Sequence, residues 1–530
     1  MDLLDGKTMM ACGGGLAMVL ALGCGDDSTN GDAGGTGPGT TTSESTGPGT
    51  TSGETMVGTS GSETAADTTA DGTDSGDSTG VGTTAGTTEG DSTSDASTGG
   101  TTMGLGTTGG TDSEGTDTGV GLGGCYDPGD YPYAGTLCGP AANPCVVIAD
   151  EAVDPTGHFR NGAPAIVLDD DCEPQVLYSV AEGGFIGHFA RRTAADTWDD
   201  AQTPFPVARG GLGFAAATGE TLAMPYDGAF GVEIWRWDGM WTLEDSLAGQ
   251  QLLRSRSVTH DGNGTLHVGL VTNGSDLLHG QWDGAWATTN LDMQVNSAAT
   301  ALGPGGEANL GYWTSTNGTW EMRWAVPNQP TELVSALGSN LLSVIDHGIA
   351  VVPDGGAGTP HVVFATQSVA GGLHEVVYAR RVGANNWTVV PVASESQATN
   401  TQCGPPPNVA GQQCNYDFIR MRPLDIVASD GGDVRIFYAQ DHFMGTLQSV
   451  CMPGPGGGFC DWQSIATSDT SDFMIAWPTQ GGGIADAVVM SDRRVQSMMS
   501  SVDIDGRIHI AAYAGFGSPV VDYLRIGESP

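Results

Sequence analysis

The chain has 530 residues with 62 acidic and 18 basic side chains, which gives a formal net charge of −44 at pH 7. Its only lysine is Lys7. So strong a negative charge argues against nucleic acid and anionic membrane surfaces as partners. All aromatic residues lie at or beyond Tyr126, so residues 1–125 have no aromatic side chain with which to build a core.

The chain begins with an apolar stretch over residues 9–23 that ends at Cys24. This stretch is too short to span a bilayer comfortably, but it suits the apolar region of a signal peptide. Residues 21–24, "ALGC", resemble the lipobox of bacterial lipoproteins. The resemblance implies a signal peptide over residues 1–23 and a Cys24 that carries lipid and anchors the chain to a membrane. The implied location is the bacterial cell envelope, at the outer membrane or cell surface; a plain secretory signal is the alternative.

Residues 24–124 are dominated by Gly, Thr, Ser and Asp. Between Asp26 and Asp117 there are 16 acidic and no basic side chains. A segment with low hydrophobicity and charge of one sign cannot bury enough apolar surface to offset the entropy lost on ordering. The sequence therefore predicts a disordered, low-complexity acidic tether with a root-mean-square reach of roughly 50–60 Å. Whether its hydroxyl groups carry sugars is left open.

An even set of cysteines follows the tether and, in an exported chain, predicts disulfide bonds. Cys451 and Cys460 flank "MPGPGGGF", whose Pro and Gly residues favour chain reversal, so we expect these two to pair. Cys403 and Cys414 should pair by the same local logic. The other four allow two bridges in one of three ways; they are Cys125, Cys138, Cys145 and Cys172.

A hairpin pattern recurs seven times beyond residue 160. An apolar strand leads into a Gly/Asp turn and a second apolar strand, as in "SVTHDGNGTLHVGL" and "SSVDIDGRIHIAAYA". Alternating apolar residues beside such turns are a strong hairpin signal. The positions that match between the seven stretches are Gln175, Ala223, His267, Asn309, His361, Arg435 and His509.

A second hairpin, in which a tight turn is followed by Trp, accompanies most of these units. "HFARRTAADTW" and "VYARRVGANNW" are one such pair, "IWRWDGMW" and "GQWDGAW" another, and "SVCMPGPGGGFCDW" is interpreted as a longer version. Four strands per unit predict an all-β fold, a β-propeller with seven four-stranded blades over residues 125–530. Six or eight blades also fit the uneven spacing. "CVVIADE" (residues 145–151) is expected to supply the missing outer strand of the last blade.

The turn-then-Trp element resembles the Asp box of sialidase-type propellers. "HFRNGAPAIVL" resembles the first blade of sialidases, in which an arginine grips the substrate carboxylate, and the resemblance places Arg160 in that role. Gly184 stands where the following family motif has arginine. The Arg-Arg pairs at 191–192 and 380–381 belong to the outer hairpins, and a third pair occupies 493–494.

Two further residue sets are candidate metal sites. His267, His361 and His509 share a repeat position, but repeated residues lie in different blades, which favours packing roles over a shared metal. The Asp-rich turns "DDDCE", "DGNG" and "DIDG" offer carboxylates of the kind that calcium prefers. Asp and Gly also favour turns for conformational reasons alone. No metal, cofactor or catalytic residue is therefore assigned.

Taken together, the sequence favours a non-enzymatic envelope lipoprotein whose propeller binds a protein or glycan ligand as a monomer, with the membrane as a partner through Cys24. A sialidase-like glycoside hydrolase is the alternative function. A structural envelope or coat component is the third.

Overall fold

The computed structural model describes the chain from residue 125 onward, with gaps. The predicted signal peptide and tether lie outside the described residues. So do three residues named above, Cys24, Arg160 and Gly184. No helix in that part is long and apolar enough to cross a membrane. The described residues are 125, 133, 135–156, 162–169, 171–181, 185–206, 212–217, 220–227, 231–251, 258–261, 264–272, 274–338, 347–352, 358–367, 374–394, 403–404, 406, 408–452, 459–515 and 519–528.

The described residues form antiparallel strands and no helices, so the predicted all-β class is confirmed. They make seven small sheets, numbered here in chain order. The first strand, β1 (Cys145–Asp154), belongs to the last sheet. Sheet 1 has β2 (Ala165–Leu168), β3 (Pro174–Ala181), β4 (Phe185–Ala194) and β5 (Thr197–Pro206); sheet 2 has β6 (Leu212–Ala217), β7 (Glu220–Asp227), β8 (Gly231–Trp237) and β9 (Trp241–Leu247); sheet 3 has β10 (Gln250–Gln251), β11 (Val258–His260), β12 (Leu266–Thr272), β13 (Leu277–Trp282) and β14 (Trp286–Asp292).

Sheets 4 and 5 pair their strands in chain order, whereas sheet 6 has an additional strand and sheet 7 includes β1. Sheet 4 has β15 (Val295–Leu302), β16 (Ala308–Thr316), β17 (Thr319–Ala325) and β18 (Glu332–Gly338); sheet 5 has β19 (His347–Val352), β20 (Thr359–Gln367), β21 (His374–Gly383) and β22 (Asn386–Ser394); sheet 6 has β23 (Gln413–Ala428), β24 (Val434–Met452), β25 (Phe459–Thr467), β26 (Thr470–Pro478) and β27 (Ile484–Met490); sheet 7 has β28 (Val495–Val502), β29 (Ile508–Ala514) and β30 (Val520–Glu528), with β1 at its edge.

Sheet 7 takes its fourth strand from the N-terminal side of the chain. Strand β1 pairs antiparallel with β30, from Cys145 opposite Glu528 to Asp154 opposite Val521. The strand order is β1-β30-β29-β28. The segment "CVVIADE" thus lies at the outer edge of the last sheet, where the repeat pattern lacked a strand.

Neighbouring sheets contact each other through the first strand of each repeat. The contacts run from β2 to β6, β6 to β11, β11 to β15, β15 to β19, β19 to β23, β23 to β28, and from β28 back to β2.

The core lies between these sheets. Second strands are buried on both faces and read as short apolar runs, as in β29, where every residue of "IHIAAYA" is buried. Between sheets 6 and 7, Phe437 and Phe473 pack with Val495 and Ile510. Such clusters remove apolar surface from water, which is the main favourable term in folding.

The described residues form four disulfide bonds. Cys451 is bonded to Cys460 and Cys403 to Cys414, the two local pairs expected from the sequence. Of the three ways open to the other four cysteines, the structure has Cys125 bonded to Cys172 and Cys138 bonded to Cys145.

The interpretation of "SVCMPGPGGGFCDW" as the outer hairpin of its unit was wrong. The outer hairpin of sheet 6 is β26–β27, whereas the cysteine hairpin joins β24 to the additional strand β25. The physical reason is the length of β24. Its first half pairs with β26 as far as His442, and from Gly445 onward it pairs with β25 instead.

This arrangement lengthens sheet 6 into a projection, called here the extension. It comprises residues 408–418, 443–452 and 459–467. Strands β23 and β24 remain paired along it as far as Gln413 opposite Gln448, and β25 adds a third strand. The bond between Cys451 and Cys460 joins directly opposed residues of its terminal hairpin.

The other end of β24 meets an N-terminal segment that includes Leu137 and Cys138. The side chain of Arg435 is completely buried and donates hydrogen bonds to the carbonyl oxygens of both residues. Asp433 accepts from Arg435 at 2.8 Å and from the Leu137 amide at 2.9 Å. The chain therefore enters its first strand beside one end of β24, and the extension lies at the other end.

Candidate ligand-binding surface

The repeated histidines do not form a common site. The seven matching repeat positions are buried on the second strands of seven different sheets. Each histidine has a partner within its own sheet: His361 Nδ1 lies 2.5 Å from the Tyr378 hydroxyl, and His509 Nδ1 lies 2.9 Å from that of Tyr523. Burial lowers the pKa of His509. These residues stabilise individual sheets.

The third repeated histidine forms a buried pair. His267 Nδ1 lies 3.0 Å from His279 Nε2, and their rings stack at 5.2 Å. Burial, and secondly the neighbouring His267, lower the pKa of His279 to about 4, so the pair is neutral near pH 7. Across the described ranges, no three His, Cys, Asp or Glu side chains are grouped to hold a metal ion.

The Asp-rich turns use their carboxylates locally. Asp169 Oδ1 accepts the Glu173 amide at 2.9 Å, Asp261 Oδ1 accepts the Thr265 amide at 2.9 Å, and Asp503 accepts the amide four residues on at 2.8 Å. Such side-chain contacts to the following backbone are a standard means of shaping a turn. The turn interpretation accounts for all three carboxylates.

Two of the arginine pairs contribute ties between sheets. Arg192 on β4 binds Glu151 on β1, the edge strand of sheet 7, and Arg381 on β21 binds Glu332 on β18, the edge strand of sheet 4, both at 2.8 Å. The indole of Trp198 donates to the same Glu151 at 3.2 Å. Although burial alone would raise it, the hydrogen bonds from Arg192 hold the pKa of Glu151 below its usual value. These arginines are committed to packing; the clamp role of Arg160 stays a prediction.

A row of aromatic side chains lies on one face of the extension. Phe418 is directly opposite Phe443, and two residues further along Tyr416 is opposite Gly445. Opposed residues of an antiparallel pair share a face. The Phe418 and Phe443 rings stack with centroids 5.0 Å apart and 27° between planes, and Tyr416 lies 6.1 Å from Phe418.

Trp462 on β25 continues this row. It stands opposite Ser449, which lies on the same face of β24 as Phe443 because six residues separate the two. Its indole donates to the Gly404 carbonyl at 2.7 Å, beside the bond between Cys403 and Cys414. We call Tyr416, Phe418, Phe443 and Trp462 the aromatic row.

Glycine at position 445 is required by this row. A Cβ atom there would collide with the Tyr416 ring and with the carbonyl oxygen of Ala466. Because glycine has no Cβ atom, the Tyr416 ring can lie flat across β24 and is buried. Phe418, Phe443 and Trp462 remain half-buried.

Charged side chains lie at the Phe443 end of the row, called here its base. The Arg494 guanidinium lies over the Phe443 ring at 5.4 Å, and its Nε is 3.9 Å from Asp441 Oδ1. Asp441 also accepts from Ser471 at 2.6 Å and from Arg422 at 3.4 Å. A cation above an aromatic face and a paired carboxylate are favourable contacts in a partly desolvated place.

Asp469 lies beside this base. Burial raises the pKa of its carboxyl group, and Arg494 acts against that shift. Its Oδ1 is shielded from solvent and has no hydrogen-bond partner within the described part of the chain. The base thus combines two arginines and two aspartates.

The opposite face of the extension is polar. Asp417 Oδ1 lies 2.7 Å from His442 Nε2, and Asn415 accepts from Thr446 at 2.8 Å. The aromatic row contributes to none of the apolar clusters formed by the described residues between sheets. Packing of the sheets therefore does not explain why four aromatic residues are placed here.

Sequence reasoning missed this surface. The alternation of Tyr416 and Phe418 around Asp417 is visible in the sequence, but the row depends on the register of three strands, and the sequence pattern places β25 in the outer hairpin of its unit.

No protein-family model and no curated protein matches the sequence. Solved structures are similar at a low level. A protein of unknown function from Dyadobacter fermentans DSM 18053 has a TM-score of 0.41 and 9% identity, over 73% of this chain and 99% of that one. The Aleuria aurantia lectin, in complex with Fucα1-6GlcNAc, has a TM-score of 0.34 and 13% identity, over 64% and 98%.

A polysaccharide lyase, an ulvan lyase bound to -[GlcA(1-4)Rha3S]-, has a TM-score of 0.33 and 12% identity, over 64% of this chain and 98% of that one. These scores are too low to establish a shared fold or a shared function.

Proposed function

We propose that this chain is a binding protein, a seven-bladed β-propeller that holds a glycan on the aromatic row of its extension. The blade count is supported by the seven sheets and by the contacts of their first strands, which return from β28 to β2. The pairing of β1 with β30 supports a ring joined by the N-terminal strand. Such closure removes exposed strand edges.

The observation that carries the proposal is the aromatic row itself. A pyranose ring has an apolar C–H face and a rim of hydroxyl groups. Half-buried rings such as Phe418 and Trp462 offer flat apolar surfaces for the former, and polar side chains on the exposed strand β25 are near enough to meet the latter. The two disulfide bonds of the extension hold these groups in place before a ligand arrives, which lowers the entropy lost on binding.

A glycan array probed with the full chain tests this proposal, alongside a pull-down from a protein extract. We expect binding to at least one class of glycan and its loss in Trp462→Ala and Phe418→Ala. Thr446→Ala is the matched control, because it alters the polar face of the same extension and should bind normally. Capture of a protein without any glycan binding, or full glycan binding by both aromatic variants, would overturn the proposal.

We also propose that Cys24 is lipidated and displays the domain from a bacterial membrane. The lipobox-like "ALGC" and the acidic segment behind it support this. Labelled palmitate should enter the wild-type chain, and Cys24→Ser should abolish the labelling and release the protein from membranes. Continued labelling of that variant would contradict the proposal.

A further inference from the structure

The cationic groups around the aromatic row are already matched by acids or carbonyl groups. Arg422 donates to the Val495 carbonyl at 2.5 Å, to that of Gln496, and to Asp441. Arg494 lies between Phe443 and Asp441. On the polar face, His442 is bound by Asp417. An anionic ligand would have to compete with these contacts.

The rest of the molecule also disfavours an anionic ligand. The chain has a net charge of −44, and charge of one sign over a whole protein repels ligands of the same sign. The buried Oδ1 of Asp469, beside Arg494, places a second acidic side chain, besides Asp441, at the base of the row. A ligand without charge avoids both costs.

The row is long compared with a single sugar. Trp462 is opposite Ser449, and Phe418 is opposite Phe443, six residues earlier on β24. At about 3.3 Å per residue, the two ends of the row are roughly 20 Å apart along the strand. A single pyranose can stack at one end only, whereas an extended chain of several sugars can contact both.

We infer that the ligand is an internal stretch of a neutral, linear polysaccharide that lies along the extension. The inference rests on the proposed function, since it specifies the glycan class for the same surface. It assigns Phe418 and Phe443 to one end of the bound stretch and Trp462 to the other.

Pairs of polymers with the same backbone test the charge preference. The full chain is run in affinity gels containing hydroxyethyl cellulose or carboxymethyl cellulose, dextran or dextran sulfate, and pullulan or carboxymethyl pullulan. We expect at least one neutral polymer to retard the protein, and its anionic counterpart to bind at least about tenfold more weakly. The inference would be overturned if an anionic polymer retarded the protein as much as its neutral counterpart. It would also be overturned if none of the neutral polymers retarded the protein.

Chain length tests the extended site. Oligosaccharides of one to eight units, prepared from the neutral polymer that binds, should gain affinity with length until they span the row. Trp462→Ala should weaken binding of the longest by about tenfold and leave the shortest nearly unchanged. Phe418→Ala should weaken both, and Thr446→Ala neither. Equal affinity for a monosaccharide and the octamer would overturn the inference.

The two proposals fail separately. If the glycan array is positive but the protein binds none of the neutral polymers, glycan binding is supported and the inference of a neutral polysaccharide ligand is wrong. If the array is also negative, the proposed function itself is wrong.

Discussion

Sheet 6 contains two regions that are built differently along the same two strands. One region is the part of sheet 6 in which β24 pairs with β26, called here the lower half. There, β23 and β24 are covered by neighbouring sheets, and Phe437 is fully buried against Phe473. In the extension, the same strands lack that cover, and two disulfide bonds hold the ends together. The aromatic side chains of the lower half are used for folding, while Phe418, Phe443 and Trp462 of the extension remain half-buried, and we propose that they contact a ligand. The lower half of sheet 6 thus contributes to stability, and the proposed binding belongs to the extension.

The largest expected effect concerns the proposed closed ring of sheets. Deletion of residues 125–152 removes most of β1 from the edge of β30 and the N-terminal segment bound by Arg435. We expect Tm to fall by roughly 10 °C or more, because an edge strand and a buried hydrogen-bond network are lost together. Calorimetry measures this change, with deletion of residues 30–110 as the control. An unchanged Tm would contradict the closed ring.

The second prediction contrasts two phenylalanines. Phe437→Ala creates a cavity between sheets 6 and 7 and should lower the free energy of unfolding by about 3–5 kcal/mol. Phe418→Ala, in the extension, should lower it by only about 1 kcal/mol or less, since its ring is half-buried and outside the apolar clusters. Urea unfolding of both variants decides. Equal losses would show that the extension is part of the core.

The third prediction uses pH to test the stability of the sheets outside the extension, called here the body. Asp522 on β30 is buried, and burial, opposed by Arg493 and reinforced by Asp150, raises its pKa to about 6. The folded state therefore binds the Asp522 proton more tightly than the unfolded state does. The resulting stability, up to about 3 kcal/mol, is fully present below pH 4 and is lost as the pH rises through 6.

Asp522→Asn should remove this contribution from the pH dependence of unfolding. The difference between variant and wild type is measured by denaturant titration from pH 4 to pH 8. Parallel stability curves for the two proteins would show that Asp522 does not titrate in this range.

The smallest global effect should come from the disulfide at the tip. Replacing Cys451 and Cys460 by serine removes a short loop closure worth about 2–3 kcal/mol in the chain-entropy model. We expect this loss to act locally, so that amide exchange accelerates in residues 443–452 and 459–467 while β29 stays protected. Faster exchange throughout β29 would mean that extension and body unfold as one unit.

Several parts of this architecture were predictable from the sequence, for local reasons. The Trp237 and Trp241 turn and the Cys451–Cys460 pair were visible because turn residues and opposed side chains lie within a few positions of each other. The aromatic row was not, because its alignment depends on which partner β24 takes after His442. No local pattern marks that change of partner.

The role of Arg435 shows the same limit. Its repeat position identified it as the counterpart of His267 and His509, but not that its side chain would be buried against the carbonyl groups of Leu137 and Cys138, nearly 300 positions earlier. Long-range pairings of this kind depend on tertiary structure and not on a local sequence pattern. The bond from Cys125 to Cys172, 47 positions later, is a second example.

Hydrogen–deuterium exchange with and without a bound polysaccharide tests the central claim most directly. With the neutral polymer that retards the protein, we predict slower exchange in residues 414–418, 443–450 and 459–467, and no change at the hairpin turns around Asp433 and Asp503 at the other end of the sheets. Protection at those turns, with none in the extension, would contradict the assignment of the binding surface.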